Sequence, residues 1–198
     1  MKVFKHLTKT FSGIIILMLV GSAHADWNLN NDASLLSFIS IKKEQVAEIH
    51  KFTHLSGSVD NQGNVAILIQ LASVDTAVPI RDERMRDMLF QTNVFPQATV
   101  TAKVDVGQFA KLTPGQIEKQ EIDLTLSLHG QDKALKALVV VVKLEGGRLM
   151  VNTMHPIIVN AGDFALAKGV EELRKIADLP AISRAVPVSL SLVFDPQH

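Results

Sequence analysis

Seven histidines and no cysteine set the chemical inventory of this 198-residue chain. The lack of cysteine excludes thiol nucleophiles, cysteine–zinc sites, disulfides and Cys-x-x-Cys-His haem attachment. His50 and His54 are four apart, so on a strand they share one face, and imidazole suits several metals. A metal site needs roughly three or four ligands. His129 and His155 lie at the ends of other candidate strands and could converge with that pair. A metal-assisted hydrolase on the barrel rim would have to be built from this set; the alternative is a group of exposed rim histidines. No Gly-x-Ser-x-Gly elbow is present, and Gly146-Gly147 reads as a hairpin turn rather than a phosphate loop. Glu171-Glu172 fall on the polar face of a helix. The inventory favours a binding protein over an enzyme, and no catalytic or metal-ligating residue is assigned.

The segment Ser73–Pro96, SVDTAVPIRDERMRDMLFQTNVFP, carries the densest pattern. An apolar run, Val65–Val74, precedes it as a strand. Pro79 stands where a first helical turn tolerates proline. Met85, Met88 and Leu89 are spaced to share one helical face, and Arg81, Asp82, Arg84, Arg86 and Asp87 crowd the others. Phe90, Phe95 and Pro96 end the helix. Arg81 could reach a ligand headgroup. Asp82 reads as a residue that caps the helix and ties it to the sheet.

These residues need a scaffold, and the chain supplies strands. Lys2, Lys5 and Lys9, the apolar run Phe11–Val20 and Ala23-His24-Ala25 have the form of a signal peptide cleaved after Ala25. The run is too short to span a bilayer, and no later segment qualifies, so no stable membrane insertion is expected. Residues 26–198 are then one exported domain, placed in the periplasm. Lys+Arg and Asp+Glu are 20 each. Loss of the leader lysines turns the domain slightly acidic, which gives no footprint for nucleic acid.

Strands are expected at Ser34–Ile41, Gln45–Asp60 (bent near His50), Asn64–Val74, Ala98–Val106, Gln116–Gly130, Ala137–Leu144, Arg148–Met154 and Ala185–Phe194. Ile122, Leu124, Leu126 and Leu128 face one way in clean alternation. Ala137–Leu144 is apolar on both faces, and Ala137–Val142 offers a face for homodimerisation. Val170, Leu173, Ile176 and Ala177 mark a second amphipathic helix. About eight strands with hairpin turns suggest a sandwich or an up-and-down barrel. The interior of such a barrel either fills with side chains or holds one small ligand. Aliphatic inward positions with few aromatics lean toward a cavity, and two helices with a few phenylalanines could equally fill it.

The order of these segments resembles the YceI-like family. The resemblance runs through Trp27 to Ser34, Ser37-Phe38, Phe52–Gly57 within KFTHLSG, Ser73–Val100, LTLSLHG at Leu124–Gly130, Asn160–Leu166, Gly169, Leu173 and Ile182–Val188. It implies a mainly β fold: a lipocalin-like, antiparallel eight-stranded barrel with one or two short helices at its mouth. It also implies an apolar tunnel for a long isoprenoid, a quinone or polyprenyl chain, or a similar amphiphile. No cofactor beyond that ligand is implied. Val159-Asn160-Ala161-Gly162 stand before Asp163-Phe164 where many members carry an arginine, so a neutral quinone or amide head is favoured over phosphate. The expected lumen set is Phe38, Phe52, Ile67, Ile69, Arg81, Met88, Leu89, Phe90, Leu124, Leu126, Val140, Val142, Val188 and Leu190. A filled-barrel interaction protein without ligand is the remaining alternative.

Overall fold

The computed structural model describes residues 25–197, so the expected leader lies outside the described residues apart from Ala25. The strands are β1 (Ala25–Lys42), β2 (Val46–Phe52), β3 (Leu55–Asp60), β4 (Asn64–Gln70), β5 (Val74–Asp75), β6 (Gln97–Lys103), β7 (Ile117–Leu128), β8 (Gln131–Lys143), β9 (Leu149–Thr153), β10 (Ile157–Asn160) and β11 (Ala185–Pro196). The helices are α1 (Pro79–Arg84), α2 (Val106–Ala110) and α3 (Ala167–Ile176).

Each strand pairs antiparallel with its neighbours, and β11 pairs back onto β1. The result is a closed eight-stranded up-and-down barrel. The strands outnumber the wall positions because three positions are broken strands: β5 continues β4 and pairs with β2, as β4 pairs with β3. Both β2 and β3 pair with β1, and both β9 and β10 pair with β11. The expected long strand 45–60 is therefore two strands. Its break falls at Thr53-His54, not near His50. The expected strand to Met154 likewise continues after a break as β10, which sequence patterning did not show. Closure removes exposed sheet edges without any disulfide.

Register decides which side chains face inward, because residues directly opposite share a face. Leu36, Phe38 and Ser40 on β1 stand opposite Phe52, His50 and Glu48 on β2. Leu36 and Phe38 also stand opposite Leu190 and Val188 on β11. Ile122 and Leu124 stand opposite Ala137 and Leu135. The inner parity of β8 is thus odd, and Ala137, Val139 and Val141 are buried. Val140 and Val142 lie on the outer face, which corrects their expected place in the lumen. Sequence could not choose between the two parities, since every residue of the run is apolar.

β1 changes parity along its length. Trp27 and Leu29 face inward, then a register shift between Asn30 and Leu35 brings the even positions in. Polar groups hold this excursion. Asn30 Nδ2 donates to Asp195 Oδ2 at 2.7 Å, and Leu55 N–H donates to Asn31 Oδ1 at 2.7 Å. Val193 N–H donates to Ser34 Oγ at 2.9 Å.

Large side chains pack the lower end. Trp27, Phe109 from α2, Leu149 and Phe194 are buried there, and Trp27 Nε1 donates to the Gly147 carbonyl at 3.2 Å. At the other end, α1 leads into a π-helical turn, Met85–Phe90, which packs against α3. Gly169 makes that packing possible. A Cβ there would lie 2.7 Å from the Met88 carbonyl oxygen and 2.9 Å from Leu89 Cα. No helix among the described residues is long and apolar enough to cross a membrane.

Candidate functional site

The barrel interior is not filled. A cavity of about 380 Å³ runs between the wall and the helical cap, within the size range of small-molecule sites. Below it lies a second chamber of about 90 Å³. Val100, Leu124 and Leu190 border both spaces and form the waist between them. Val78, Ile80 and Ile176 line the upper cavity yet stay exposed, so they mark its mouth.

Ten of the fourteen expected lumen residues line the upper cavity: Phe38, Phe52, Ile69, Arg81, Leu89, Phe90, Leu124, Leu126, Val188 and Leu190. Ile67 lines the lower chamber instead. Met88 lines neither space, and Val140 and Val142 lie outside. Met88 is displaced by helix pitch. An α-helix would align positions 85, 88 and 89, but the wider π turn brings Met85 and Phe90, five apart, into the core. Met88 rotates away, and its carbonyl meets Gly169.

An aromatic cluster crosses the cavity wall. Phe38 and Phe52 stack at 5.3 Å, Phe52 meets Phe90 at 5.7 Å, and Phe38 meets the His50 ring at 5.2 Å. From there toward the mouth the wall becomes polar: Ser40, Lys42, Glu48, His50, Arg81 and Arg84. Glu48 Oε2 is 2.8 Å from Lys42 Nζ and 2.9 Å from an Arg81 terminal nitrogen. Lys42 beside it, and then Arg81, hold the Glu48 carboxyl below its usual range, against partial burial. Arg81 also donates to the Thr76 carbonyl at 2.8 Å. Asp82 accepts from the Thr76 N–H at 2.9 Å, so it ties the helix to the end of β5 rather than capping its own N-terminus.

His50 is 3% exposed, and its Nε2 lies 2.8 Å from Ser40 Oγ. Burial, reinforced by Arg81, lowers its pKa. His54 lies past the strand break, exposed, with Nδ1 3.0 Å from Thr53 Oγ1. The even spacing of the pair therefore does not put both rings on one face. His129 is half-buried against Phe95, with ring centres 4.2 Å apart, and His155 is exposed. Among the described residues no group of three or more His, Cys, Asp or Glu is placed to hold a metal. Sequence reading passed over Ser40, Lys42, Glu48 and His50 as cavity residues. Their signal was parity: each is an even number of positions from Phe38 or Phe52 on the same strand.

A pH dependence follows from the two depressed histidines. Burial lowers the pKa of both His50 and His129 below the ordinary 6.5. The unfolded chain therefore takes up protons near pH 6.5 that the folded chain refuses. Stability is full above that value and falls as pH drops below it, until the folded histidines themselves protonate. The melting temperature is expected to fall between about pH 7.5 and about pH 5.5, a window above the carboxylate range. Calorimetry across that window checks it, and His50→Phe should flatten the profile.

Comparison with known proteins agrees with this architecture. The family model described as YceI-like domain matches residues 27–194. No curated protein sequence matches. A polyisoprenoid binding domain from Saccharophagus degradans, implicated in plant cell wall breakdown, is 37% identical, with a TM-score of 0.86 over 88% of this chain and 100% of that one. BcnA of Burkholderia cenocepacia shares 17% identity at a TM-score of 0.65, over 83% of this chain and 98% of that chain, and supports the fold alone. The YceI protein of Campylobacter jejuni shares 20% identity at a TM-score of 0.52, over 80% of this chain and 90% of that chain, and also speaks to fold alone. The matched span takes in all eight wall positions, short only of the outer ends of β1 and β11, together with the helical cap, and the chain belongs to the family of YceI-like domains.

Proposed function

We propose that this protein is an exported, non-catalytic carrier that holds the tail of a long isoprenoid lipid inside its barrel. The observation that carries the reading is the cavity: about 380 Å³, walled by aliphatic and aromatic side chains, narrowing below to the waist at Val100, Leu124 and Leu190 and opening beside a polar cluster. A prenyl tail leaving water for such a space gains roughly 25 cal/mol per Å² of apolar surface, so affinity needs few polar contacts. The 37% identical relative is itself named a polyisoprenoid binding domain. The signal-peptide pattern of residues 1–25 supports delivery to the periplasm, where lipid exchange between membranes needs an apolar shelter.

Native mass spectrometry of the protein taken directly from the periplasm, with solvent extraction of the same sample, tests the reading. One bound species of several hundred daltons, released by solvent and carrying a prenyl tail, is the expected result. A bare-mass protein whose melting temperature is also unmoved by isoprenoids would overturn it, because a ligand that binds only the folded state must stabilise that state.

A further inference from the structure

The helical cap meets the barrel wall through two feet, and one residue touches both. Residues 91–96 carry the chain from the π turn to β6, and the turn 161–164 carries it from β10 into α3. Phe95 lies in the first foot, and Phe164, 1% exposed, in the second. The hairpin turn between β7 and β8, His129-Gly130, stands against both. The His129 ring packs on the Phe95 ring with centres 4.2 Å apart. A Cβ on Gly130 would lie 3.2 Å from the same Phe95 ring, so the turn and that ring are closely fitted. The Phe164 carbonyl faces the His129 ring, and β8 packs against the turn 161–164.

This seat suits a neutral imidazole. Both ring nitrogens of His129 are shielded from water, and neither has a hydrogen-bond partner among the described residues. The Phe164 carbonyl favours the charged ring and burial opposes it; burial is the larger effect. The ionisable residues of the surrounding elements are Asp123 on β7, Asp132 and Lys133 on β8, Asp163 in the 161–164 turn, Lys168 on α3, and Arg86 and Asp87 in the π turn. None of them acts on the charge of the ring. A proton taken up here therefore creates a buried cation without a counter-ion, and such a group is more stable in water.

We propose that His129 is a proton-operated latch on the helical cap: a protonated ring leaves its seat, Phe95 and the 161–164 turn loosen together, and the bound lipid departs faster. This rests on the lipid-binding reading and adds a regulation to it. The two feet hold the π turn and α3, which together cover the cavity, so loosening at their common contact opens the cover from the side. In the loosened cap His129 regains the ordinary value of 6.5. Lowering the pH from about 7.5 to about 5.5 then raises the loosened population by up to about tenfold.

The probe is an uncharged geranylgeraniol carrying a nitrobenzoxadiazole tag, loaded into solvent-extracted, refolded protein. Stopped-flow fluorescence follows its release into phosphatidylcholine vesicles at room temperature. Wild type is expected to release it several-fold, up to about tenfold, faster at the lower pH. His129→Asn, whose side chain tolerates the left-handed backbone here (φ 50), should release it at a rate that pH does not change. His129→Gln takes its place if that variant does not fold. Deuterium exchange on lipid-free protein, corrected for the intrinsic effect of pH, should quicken in residues 85–96 and 161–176 at the lower pH in wild type alone. Equal release by wild type at the two pH values overturns the latch, and so does a pH response that survives in the variant. A probe that binds at neither pH overturns the lipid-binding reading. Exchange then decides the latch by itself, and protection that pH leaves unchanged overturns it as well.

Discussion

Ala98→Phe is expected to abolish lipid retention while leaving the barrel at least as stable as before. Ala98 is 3% exposed, lies opposite Ile69 on β4 and lines the upper cavity. A phenyl ring there projects into existing space rather than into packed neighbours. It buries apolar surface that contributes up to about 2 kcal/mol, against the overpacking cost that a filled core would impose. The tail and the ring compete for one volume, so the lipid-bound fraction should fall about tenfold or more. The two effects have opposite signs, and that makes the result diagnostic. Native mass spectrometry reads the bound fraction, and calorimetry on solvent-extracted protein reads the fold. A variant that keeps its lipid would show that the tail does not occupy this cavity. A variant that loses several kcal/mol would show that the space is not open.

Gly169→Ala should have the second-largest effect, by the opposite route. The added methyl meets the Met88 carbonyl oxygen at 2.7 Å and Leu89 Cα at 2.9 Å. Both are main-chain atoms of the π turn, so no flexible side chain can swing aside. α3 must move off the cap. Overpacking of this kind costs about 1–3 kcal/mol, and for a domain of this length each kcal/mol lowers the melting temperature by roughly 2–4 °C. The same displacement separates the two helical elements that cover the cavity, so a bound lipid should leave faster. Stopped-flow release of a fluorescent lipid, beside a thermal melt, checks both. An unchanged melt with unchanged release would mean that α3 is not seated as described.

The wall of this barrel was legible in the sequence where one face was polar. Ile122, Leu124, Leu126 and Leu128 alternate with Asp123, Thr125 and Ser127, and this apolar set faces inward as read. Legibility failed where that contrast was missing. Ala137–Val142 is apolar at every position, and only pairing with β7 reveals that the odd positions point in. It failed again where local geometry departed from the common menu. The π turn moved Met88 off the face that helical spacing assigns to it. β10 escaped because a four-residue strand, Ile157–Asn160, shows too little alternation to stand out. The polar cluster was hidden by residue type: Glu48 and His50 look like surface residues until the inward parity of Phe52 is carried back along β2.

The barrel closes through its two ends. Trp27 on the first strand stands opposite Pro196 on the last, and nothing between them can complete the ring. A nascent chain therefore has every hairpin available and no closed structure until its final strand has left the ribosome. Contacts of such sequence separation are slow to form. For the export proposed above, which needs a chain that has not yet folded, this topology would supply that delay from within. A circular permutant that joins the present ends and opens at the Gly146-Gly147 turn should refold to the same barrel with altered kinetics. It would show how far the order of emergence, rather than the finished contacts, sets the time at which the lumen first exists.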